Sequence, residues 1–338
     1  MRNMVRNISV VLMAAMLCVT AGAQEGRRWA VVELSSIYMR VAPDYESALE
    51  TQELMGTVVE VVGEQGYWRE IVSPQPYRAW CTEKGIVELS QEELQAYTEA
   101  PKCIFTGLYG HIYELAAERC GTICDLVGGD ILRVVKKGRK WWKVMLPSGQ
   151  EGWVPAADVK ELDGFRSIAK GEGDAGSVSD KVMEDIIAEA FRLKGVPYLW
   201  GGMSSKGVDC SGLVRLSYLM NGILLPRNAS QQIFCGDKVE MMVDCRFWNE
   251  EERSDDGGFR QEFVQEMSRR CKNLRRGDLV FFGTPAEGER KQRVTHVGIY
   301  IGNGQIIHSS HLVRVNSLIP GADDYYENAH RLLGAARL

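Results

Sequence analysis

Short apolar runs alternate with polar and turn residues through the first half of the chain, over about residues 29–89 and again over about residues 103–159. Alternation with a period of two residues is typical of a strand that buries one face. The second region repeats the first, because residues 66–72 parallel residues 139–145 at an offset of about 74. The pattern therefore predicts two copies of one small all-β barrel. We expect Trp68, Trp80, Trp142 and Trp153 to lie in the barrel cores rather than in contact with a ligand.

After a glycine-rich connector at residues 164–176, the spacing of apolar residues becomes helical. Ser179 is a suitable N-cap for the first helix, and Gly195 with Pro197 would end it. The apolar face of this helix is formed by Val182, Met183, Ile186, Ala190 and Leu193. We expect this helix to pack against the core of a further domain.

Cys210 stands where a glycine-punctuated loop turns into a second helix, whose apolar positions are Leu213, Leu216 and Met220. Unpaired backbone N–H groups and the positive end of the helix dipole favour a thiolate at such a position. Cys210 is therefore a candidate nucleophile. We expect Gly212 to keep the approach to its sulfur uncrowded.

The base that a nucleophilic cysteine needs would come from a predicted hairpin near the C-terminus. His296 and His308 lie on its two strands, separated by Gly302-Asn303-Gly304. A strict two-residue turn would place the histidines on opposite faces, whereas a three-residue loop or an equivalent bulge places both on one face. We expect the odd loop or the bulge, with His296 as the base and His308 as the group that orients it.

Composition narrows the classes of function. The chain has 338 residues, 45% of them hydrophobic, which is enough for two or three domains with buried cores. Its net charge of −5 argues against nucleic-acid binding. The chain has no CxxC or HxxxH pair, so we expect neither a metal nor another cofactor. Disulfides are possible between Cys120 and Cys124 and among Cys235, Cys245 and Cys271, with a connectivity that sequence leaves open.

Five motifs occur in an order that resembles the NlpC-type cell-wall cysteine peptidases, a papain-like family. They are Tyr198-x-Trp200-Gly-Gly, Asp209-Cys210-Ser211-Gly212, the run from Arg276 to Phe282, Thr295-His296-Val297-Gly298 and Ile307-His308-Ser309. The resemblance covers about the last half of the chain and implies an α+β papain-like fold. It implies Cys210 as nucleophile, His296 as base, His308 as orienting residue and Tyr198 near the oxyanion.

Two bacterial SH3-like barrels ahead of such a domain resemble the γ-D-glutamyl-L-diamino-acid endopeptidases. The resemblance implies cleavage between γ-D-Glu and the diamino acid, diaminopimelate or lysine, of peptidoglycan stem peptides with a free N-terminal L-Ala. It also implies that the first barrel closes one end of the cleft and that Glu53 and Tyr77 hold the alanine ammonium. Asn228 stands where that family has an aspartate facing the ammonium. Trp200, Asp209 and Ser211 match residues that line the substrate pocket.

The predicted division of the chain is a signal peptide at 1–23, SH3-like domains at 24–90 and 103–160, a linker at 161–178, and the peptidase domain at 179–338. An insertion at 235–272 interrupts the last domain and is either a solvated loop with a surface helix or a substrate lid. The signal predicts export to the periplasm or cell envelope, without a membrane span after its removal. We expect a monomer. Two other functions remain open: an amidase or acyltransferase that uses the same thioester, and a non-catalytic cell-wall-binding protein.

Overall fold

The computed structural model describes residues 26–74, 77–117, 119–167, 178–241 and 258–338. The predicted signal peptide and much of the predicted insertion, including Cys245, lie outside these ranges. The chain divides into two compact units, one up to Arg166 and one from Ser167 onward. Within the described ranges, no helix combines the length and the apolar character that crossing a bilayer requires.

The first half of the N-terminal unit is a seven-stranded antiparallel sheet. Its strands are β1 (Arg28–Val32), β2 (Ser36–Arg40), β3 (Leu49–Leu54), β4 (Val58–Gln65), β5 (Trp68–Ser73), β6 (Tyr77–Thr82) and β7 (Ile86–Leu89). Helix α1 (Gln91–Glu99) follows and begins at a capping box, in which the Ser90 hydroxyl and the Glu93 carboxylate each accept from the other residue's N–H.

The second half of this unit is another seven-stranded sheet. Its strands are β8 (Lys102–Phe105), β9 (Tyr109–Tyr113), β10 (Thr122–Val127), β11 (Ile131–Lys136), β12 (Trp141–Met145), β13 (Glu151–Pro155) and β14 (Val159–Leu162). The first sheet has the order β3-β2-β6-β5-β4-β1-β7 and the second has the order β10-β9-β13-β12-β11-β8-β14. The two orders are the same with the strand numbers raised by seven, so the predicted internal repeat is confirmed. The topology is consistent with SH3-like domains.

Four tryptophans of these sheets were predicted to lie in the barrel cores, and they differ in burial. Trp68 is 5% exposed, whereas Trp80, Trp142 and Trp153 are half-buried. Trp80 alternates along β6 with the buried residues Ala79 and Cys81, and its side chain therefore lies on the opposite face of the strand. For Trp80 and Trp153, the period-two pattern was right and the assignment of the buried face was wrong.

The C-terminal unit combines helices with a six-stranded antiparallel sheet, as the predicted α+β fold requires. A short strand, β15 (Arg166–Ser167), lies at the division between the units. The helices are α2 (Asp180–Arg192), α3 (Cys210–Leu219), α4 (Ala229–Gln232) and α5 (Gln261–Cys271). The short strands β16 (Met203–Ser204) and β17 (Gly207–Val208) pair with each other, and β18 (Ile223–Leu224) follows α3. The main sheet has the order β19-β24-β20-β21-β22-β23. Its strands are β19 (Asp237–Val239), β20 (Leu279–Thr284), β21 (Arg293–Gly302), β22 (Gln305–Ser310), β23 (Leu312–Ser317) and β24 (Leu332–Arg337).

Helices α2 and α3 bear out the helical spacing seen in the sequence. Ser179 caps α2 by accepting from the Val182 N–H, and Met183, Ile186 and Ala190 are buried as predicted. Every residue of α3 is buried, and the helix packs against β21 and β22. A helix that is enclosed along its whole length holds its first residue in a fixed position. That residue is Cys210.

The disulfide that the sequence allowed between Cys120 and Cys124 is absent, because both residues are free thiols. The pairing among Cys235, Cys245 and Cys271 stays a prediction, since Cys245 lies outside the described ranges. The Cys120 thiol donates to the Ala117 carbonyl at 2.9 Å. Cys235 and Cys271 are both buried. Within each unit, large buried apolar clusters stabilise the described part of the fold.

Candidate active site

The β21–β22 hairpin brings two histidines to one face of the sheet. Its turn is the two-residue Asn303-Gly304 pair, with φ angles of 54° and 74° that a type I′ turn requires, and Gly302 pairs with Gln305. Ile301 is an extra residue between the paired positions Tyr300 and Gly302. The predicted three-residue loop is therefore wrong, but the equivalent bulge is confirmed. The bulge restores the parity that a two-residue turn alone would have reversed.

Polar side chains from three adjacent strands form a continuous hydrogen-bonded line. His296 Nε2 on β21 lies 2.7 Å from His308 Nδ1 on β22. His308 Nε2 lies 2.9 Å from Asn316 Oδ1 on β23, and Asn316 Nδ2 donates to the Asp324 carbonyl at 2.7 Å. His308 is 0% exposed, so its hydrogen bonds are shielded from water.

The Asp324 carbonyl at the end of this line fixes which group donates and which accepts in each of its hydrogen bonds. A carbonyl can only accept, so Asn316 presents its amide nitrogen to Asp324 and its oxygen to His308. His308 must then carry its proton on Nε2 and accept at Nδ1 from the His296 Nε2–H. His296 is left with an unprotonated Nδ1. That lone pair is the basic position of the site.

The Cys210 thiol lies beside the strand that carries His296. Its sulfur accepts a hydrogen bond from the N–H of Val297, the residue after His296, and another from the Ser211 N–H. Helix α3 begins at this point because the Asp209 carboxylate caps it, accepting from the Gly212 N–H at 2.7 Å. One buried helix and one strand thus position the predicted nucleophile and the predicted base, and His296 Nδ1 is the ring nitrogen that the hydrogen-bonded line leaves open.

Aromatic rings pack around the two imidazoles, of which His308 is fully buried and His296 is half-buried. The ring centroid of Tyr326 lies 4.7 Å from that of His308 and 5.6 Å from that of His296. Phe282 packs against His296 at 5.8 Å and against Tyr326 at 5.2 Å. These contacts fix the ring planes, so that the histidines keep the orientation their hydrogen bonds require.

Burial shifts the pKa values of Cys210 and of both histidines in the direction that favours their neutral forms. Desolvation, followed by the charge of Asp209, raises the pKa of the Cys210 thiol to about 12. Desolvation, followed by His308, lowers the pKa of His296 to about 3, and desolvation lowers the pKa of His308 to about 4. The expectation that the helix N-terminus favours a thiolate is therefore wrong for the resting site, because desolvation outweighs the dipole and the two N–H groups.

A buried ion pair fixes the start of α3. Arg227 is 2% exposed and donates to both carboxylate oxygens of Asp209, at 3.0 and 2.6 Å, and to the Ser211 hydroxyl at 2.9 Å. Asp209 also accepts from the Gly201 N–H at 2.9 Å. A bidentate arginine–carboxylate pair of this kind holds the helix cap and the preceding loop in one arrangement.

Gly212 allows α3 to pack closely against the loop that contains Gly202. A Cβ atom at this position would lie 2.1 Å from the Gly202 carbonyl oxygen. Only glycine lets α3 approach the loop so closely, so Gly212 has a packing role, and the expectation that it keeps the approach to Cys210 open stays a prediction.

Comparison with known proteins identifies this unit. Residues 195–330 match the NlpC/P60 family. The C-terminal unit is an NlpC/P60 domain. The chain is 27% identical over 297 residues to a Bacillus cereus protein named gamma-D-glutamyl-L-lysine dipeptidyl-peptidase, covering 84% of this chain and 75% of that protein. It is 32% identical over 194 residues to the Bacillus subtilis bifunctional muramidase/DL-endopeptidase CwlT, covering 54% of this chain and 48% of that protein.

The fold agrees with a solved structure over most of the chain. A crystal structure of an NlpC/P60 family protein from Bacillus cereus matches with a TM-score of 0.66 and 23% identity, covering 91% of this chain and 99% of that one. The resemblance inferred from five motifs is confirmed, and the NlpC/P60 domain has the papain-like fold expected at the C-terminus.

The other predicted site residues of the NlpC/P60 domain differ in their exposure and in their contacts. Tyr198 is half-buried, and burial followed by the nearby Cys210 raises the pKa of its hydroxyl. Trp200 is 68% exposed, and Asn228 is half-buried just before α4. The polar groups of Asp209 and Ser211 face Arg227, so any contact they make with substrate must be shared with that ion pair.

The predicted ammonium ligands lie in the first sheet of the N-terminal unit. Glu53 is in β3 and is buried, and Tyr77 begins β6. The Tyr77 hydroxyl donates to Glu50 Oε1 at 2.8 Å. Glu50 is a second carboxylate near this tyrosine that the motifs did not single out. The substrate roles of Glu53 and Tyr77 stay predictions.

Asn316 and Tyr326 are site residues that motif matching missed. Neither stands in a recognisable motif. Strand parity offered a signal for Asn316, because β22 and β23 pair His308 with Arg314 and place Asn316 on the same face. Tyr326 follows β23 in an irregular segment, where no periodicity points to it.

The hydrogen-bonded line leads to a prediction about pH dependence. Because the base must be neutral, activity should be lost only as the pH falls through the lowered pKa values of His296 and His308, below about pH 5. In Asn316→Asp, a carboxylate would accept from His308 Nε2–H and stabilise the imidazolium forms. The acid limb of kcat/KM should then rise by about one pH unit or more.

The matched control for this variant is Asp324→Ala, because Asp324 joins the line through its backbone carbonyl alone. Its acid limb should coincide with that of the wild type. Profiles that are identical for all three proteins would show that Asn316 has no influence on the histidines.

Proposed function

We propose that this protein is a cysteine peptidase that hydrolyses the bond between γ-D-Glu and the diamino acid of peptidoglycan stem peptides with a free N-terminal L-Ala. The observation that carries the proposal is the Cys210 sulfur beside Val297, next to a base whose Nδ1 is left open by the His296–His308–Asn316 line. Relatives over most of the chain carry names of this activity: gamma-D-glutamyl-L-lysine dipeptidyl-peptidase in two Bacillus species and dipeptidyl-peptidase 6 in Lysinibacillus sphaericus.

In the proposed reaction, the Cys210 sulfur attacks the γ-carbonyl carbon of D-Glu while His296 Nδ1 takes the thiol proton. The oxyanion is stabilised by the Cys210 backbone N–H and the Tyr198 hydroxyl. The C–N bond then breaks, and His296 returns the proton to the leaving amine. Water, deprotonated by His296, hydrolyses the thioester and regenerates the thiol.

The neutral resting pair fits this sequence of proton transfers. A neutral imidazole is ready to accept the thiol proton, and His308 stabilises the imidazolium that forms by accepting from His296 Nε2–H. Asn316 keeps His308 in the tautomer that can accept. His308 and Asn316 are buried, and the hydrogen bond between them is therefore stronger than it would be in water.

We attribute the selectivity for a free N-terminus to the positive charge of the alanine ammonium. An ammonium placed between carboxylate and hydroxyl oxygens gains charge-assisted hydrogen bonds that an acetylated amine cannot make. We assign this role to Glu53 and Tyr77, with Asn228 as a neutral acceptor. We assign the N-terminal unit to two SH3-like barrels, and the protein to the periplasm or cell envelope, where released wall peptides are turned over.

The test compares L-Ala-γ-D-Glu-L-Lys and its meso-diaminopimelate counterpart with their N-acetylated forms, following products by mass spectrometry. The free peptides should yield L-Ala-γ-D-Glu and the free diamino acid. The acetylated forms should react about 10- to 100-fold more slowly, as expected for loss of hydrogen bonds to a charged group. In Glu53→Gln, this preference should shrink.

Equal rates on the free and acetylated peptides would remove the ammonium role of Glu53 and Tyr77. Transfer of the dipeptide to an added amine faster than to water would favour an acyltransferase. A fully folded protein that cleaves none of these peptides would contradict the proposed function.

A further inference from the structure

Arg314 shares the active-site face of the sheet with the catalytic histidines. It lies on β23 directly opposite His308 on β22, and cross-strand partners in an antiparallel pair project to the same face. Asn316, two residues further along β23, projects to that face too and completes the hydrogen-bonded line. The strand thus brings two polar side chains to the site, and the reaction described above uses one of them.

Arg314 differs from Arg227 and Arg270, two buried arginines of the same unit, in having no anionic partner within the described ranges. Arg227 holds Asp209 and Arg270 holds Glu266, each in an ion pair. Arg314 is half-buried, its Nε is fully buried and has no hydrogen-bond partner, and within the described ranges it makes no ion pair. A cation that has lost water from one of its donors gains strongly from a carboxylate, which the guanidinium can bind with two parallel hydrogen bonds.

The charge of Arg314 reaches the catalytic residues. It contributes to lowering the pKa values of His308 and of Tyr326, whose rings are packed against each other. The guanidinium is therefore within electrostatic range of the site.

The direction of cleavage indicates which part of a substrate would contact the Arg314 guanidinium. The leaving amine receives its proton from His296 and so departs on the imidazole side of the cleft. The sheet order β21-β22-β23 places His296, His308 and Arg314 on three successive strands, so Arg314 lies on the imidazole side. The group attached to the leaving amine is the diamino acid, which carries a carboxylate next to that amine.

We propose that Arg314 is a substrate-binding residue that holds the carboxylate of the leaving diamino acid. The inference rests on the proposed function, since it takes the peptide and the direction of cleavage from it. Arg314 would align the scissile amide by fixing the group on its far side, and it would reject peptides whose diamino acid is amidated or lacks the carboxylate.

The experiment measures the activity of the wild type and of Arg314→Gln on three peptides. The peptides are L-Ala-γ-D-Glu-L-Lys, the same peptide with a C-terminal lysine amide, and the same peptide with the α-carboxylate of D-Glu amidated. For the wild type, kcat/KM on the lysine amide should fall by about 10- to 100-fold, the range for a hydrogen-bonded charge pair. Arg314→Gln should lose a similar factor on the first peptide and should no longer distinguish it from the lysine amide.

The control variant is Arg331→Gln, which removes an exposed arginine from the same unit and should behave as the wild type on all three peptides. Thermal unfolding shows whether Arg314→Gln is folded, and Arg314→Lys, which keeps the charge, provides a second variant with partial recovery of the preference for the carboxylate.

Three outcomes would overturn the inference. Arg314→Gln and Arg314→Lys could discriminate against the lysine amide as strongly as the wild type does. The wild type could cleave the acid and the lysine amide equally well. Arg314→Gln could instead lose its sensitivity to amidation of D-Glu, which would assign the arginine to the other carboxylate. Each leaves the proposed function intact, whereas failure of the wild type to cleave any peptide would overturn both.

Discussion

Replacement of Cys210 by alanine is expected to lower kcat by about 10⁴-fold or more, because no other group can form the covalent intermediate. Serine should be nearly as inactive, since its hydroxyl is a poorer nucleophile for a base whose own pKa is depressed. The measurement is release of the free diamino acid from L-Ala-γ-D-Glu-L-Lys, with thermal unfolding of each variant as a check of folding. Substrate binding by the alanine variant should survive.

Cys271 supplies the matched control for this prediction. It is a buried free thiol of the same domain, packed in the apolar cluster that includes Phe263 and Met267. Cys271→Ala should lower the unfolding temperature slightly and leave kcat close to the wild-type value. Activity retained by Cys210→Ala, or lost equally in Cys271→Ala, would show that the nucleophile is not Cys210.

Replacement of Arg227 by leucine is the second change with a large expected effect. It would leave the Asp209 carboxylate buried without its cation, which costs about 3–5 kcal/mol in the free energy of unfolding. Because Asp209 caps α3 at Cys210, we also expect the remaining folded protein to lose most of its kcat. Urea unfolding gives the first quantity, and turnover measured below the unfolding transition gives the second.

Arg337→Leu separates loss of stability from loss of catalysis. Arg337 donates to both carboxylate oxygens of Asp278, which is 1% exposed, at 2.8 and 2.7 Å, so this pair has the same chemistry. It joins β24 to the start of β20 rather than to α3. The variant should lose stability and keep kcat. If Arg227→Leu likewise kept full kcat once folded, the ion pair would have no part in positioning Cys210.

The sequence was sufficient where chemistry and periodicity agree. Cys210 at the head of an apolar helix and the two histidines of one hairpin could be assigned before any coordinates, because a strand has only two faces and the site needs both rings on one. The turn itself could not be predicted. Asn303-Gly304 forms the two-residue turn its composition favours, and the parity was corrected by a bulge at Ile301, which has no sequence signature.

Features that depend on the three-dimensional environment could not be predicted from the sequence. A helix N-terminus suggests a thiolate, yet burial of Cys210 reverses the preference, and burial is a property of the packed fold. Asn316 contributes through strand register and Gly212 through its approach to Gly202. The half-buried Trp80 and Trp153 show the same limit in the first unit, since alternation identifies two faces without saying which is inside.

The central claim is that Cys210 carries the acyl group during turnover. Acid-quenching the enzyme in the presence of excess L-Ala-γ-D-Glu-L-Lys, followed by digestion and mass spectrometry, should show the L-Ala-γ-D-Glu acyl group on the peptide that contains Cys210. The adduct should be absent from Cys210→Ala, and it should disappear when the wild type has consumed its substrate. Steady product formation with the acyl group on another residue would contradict the account.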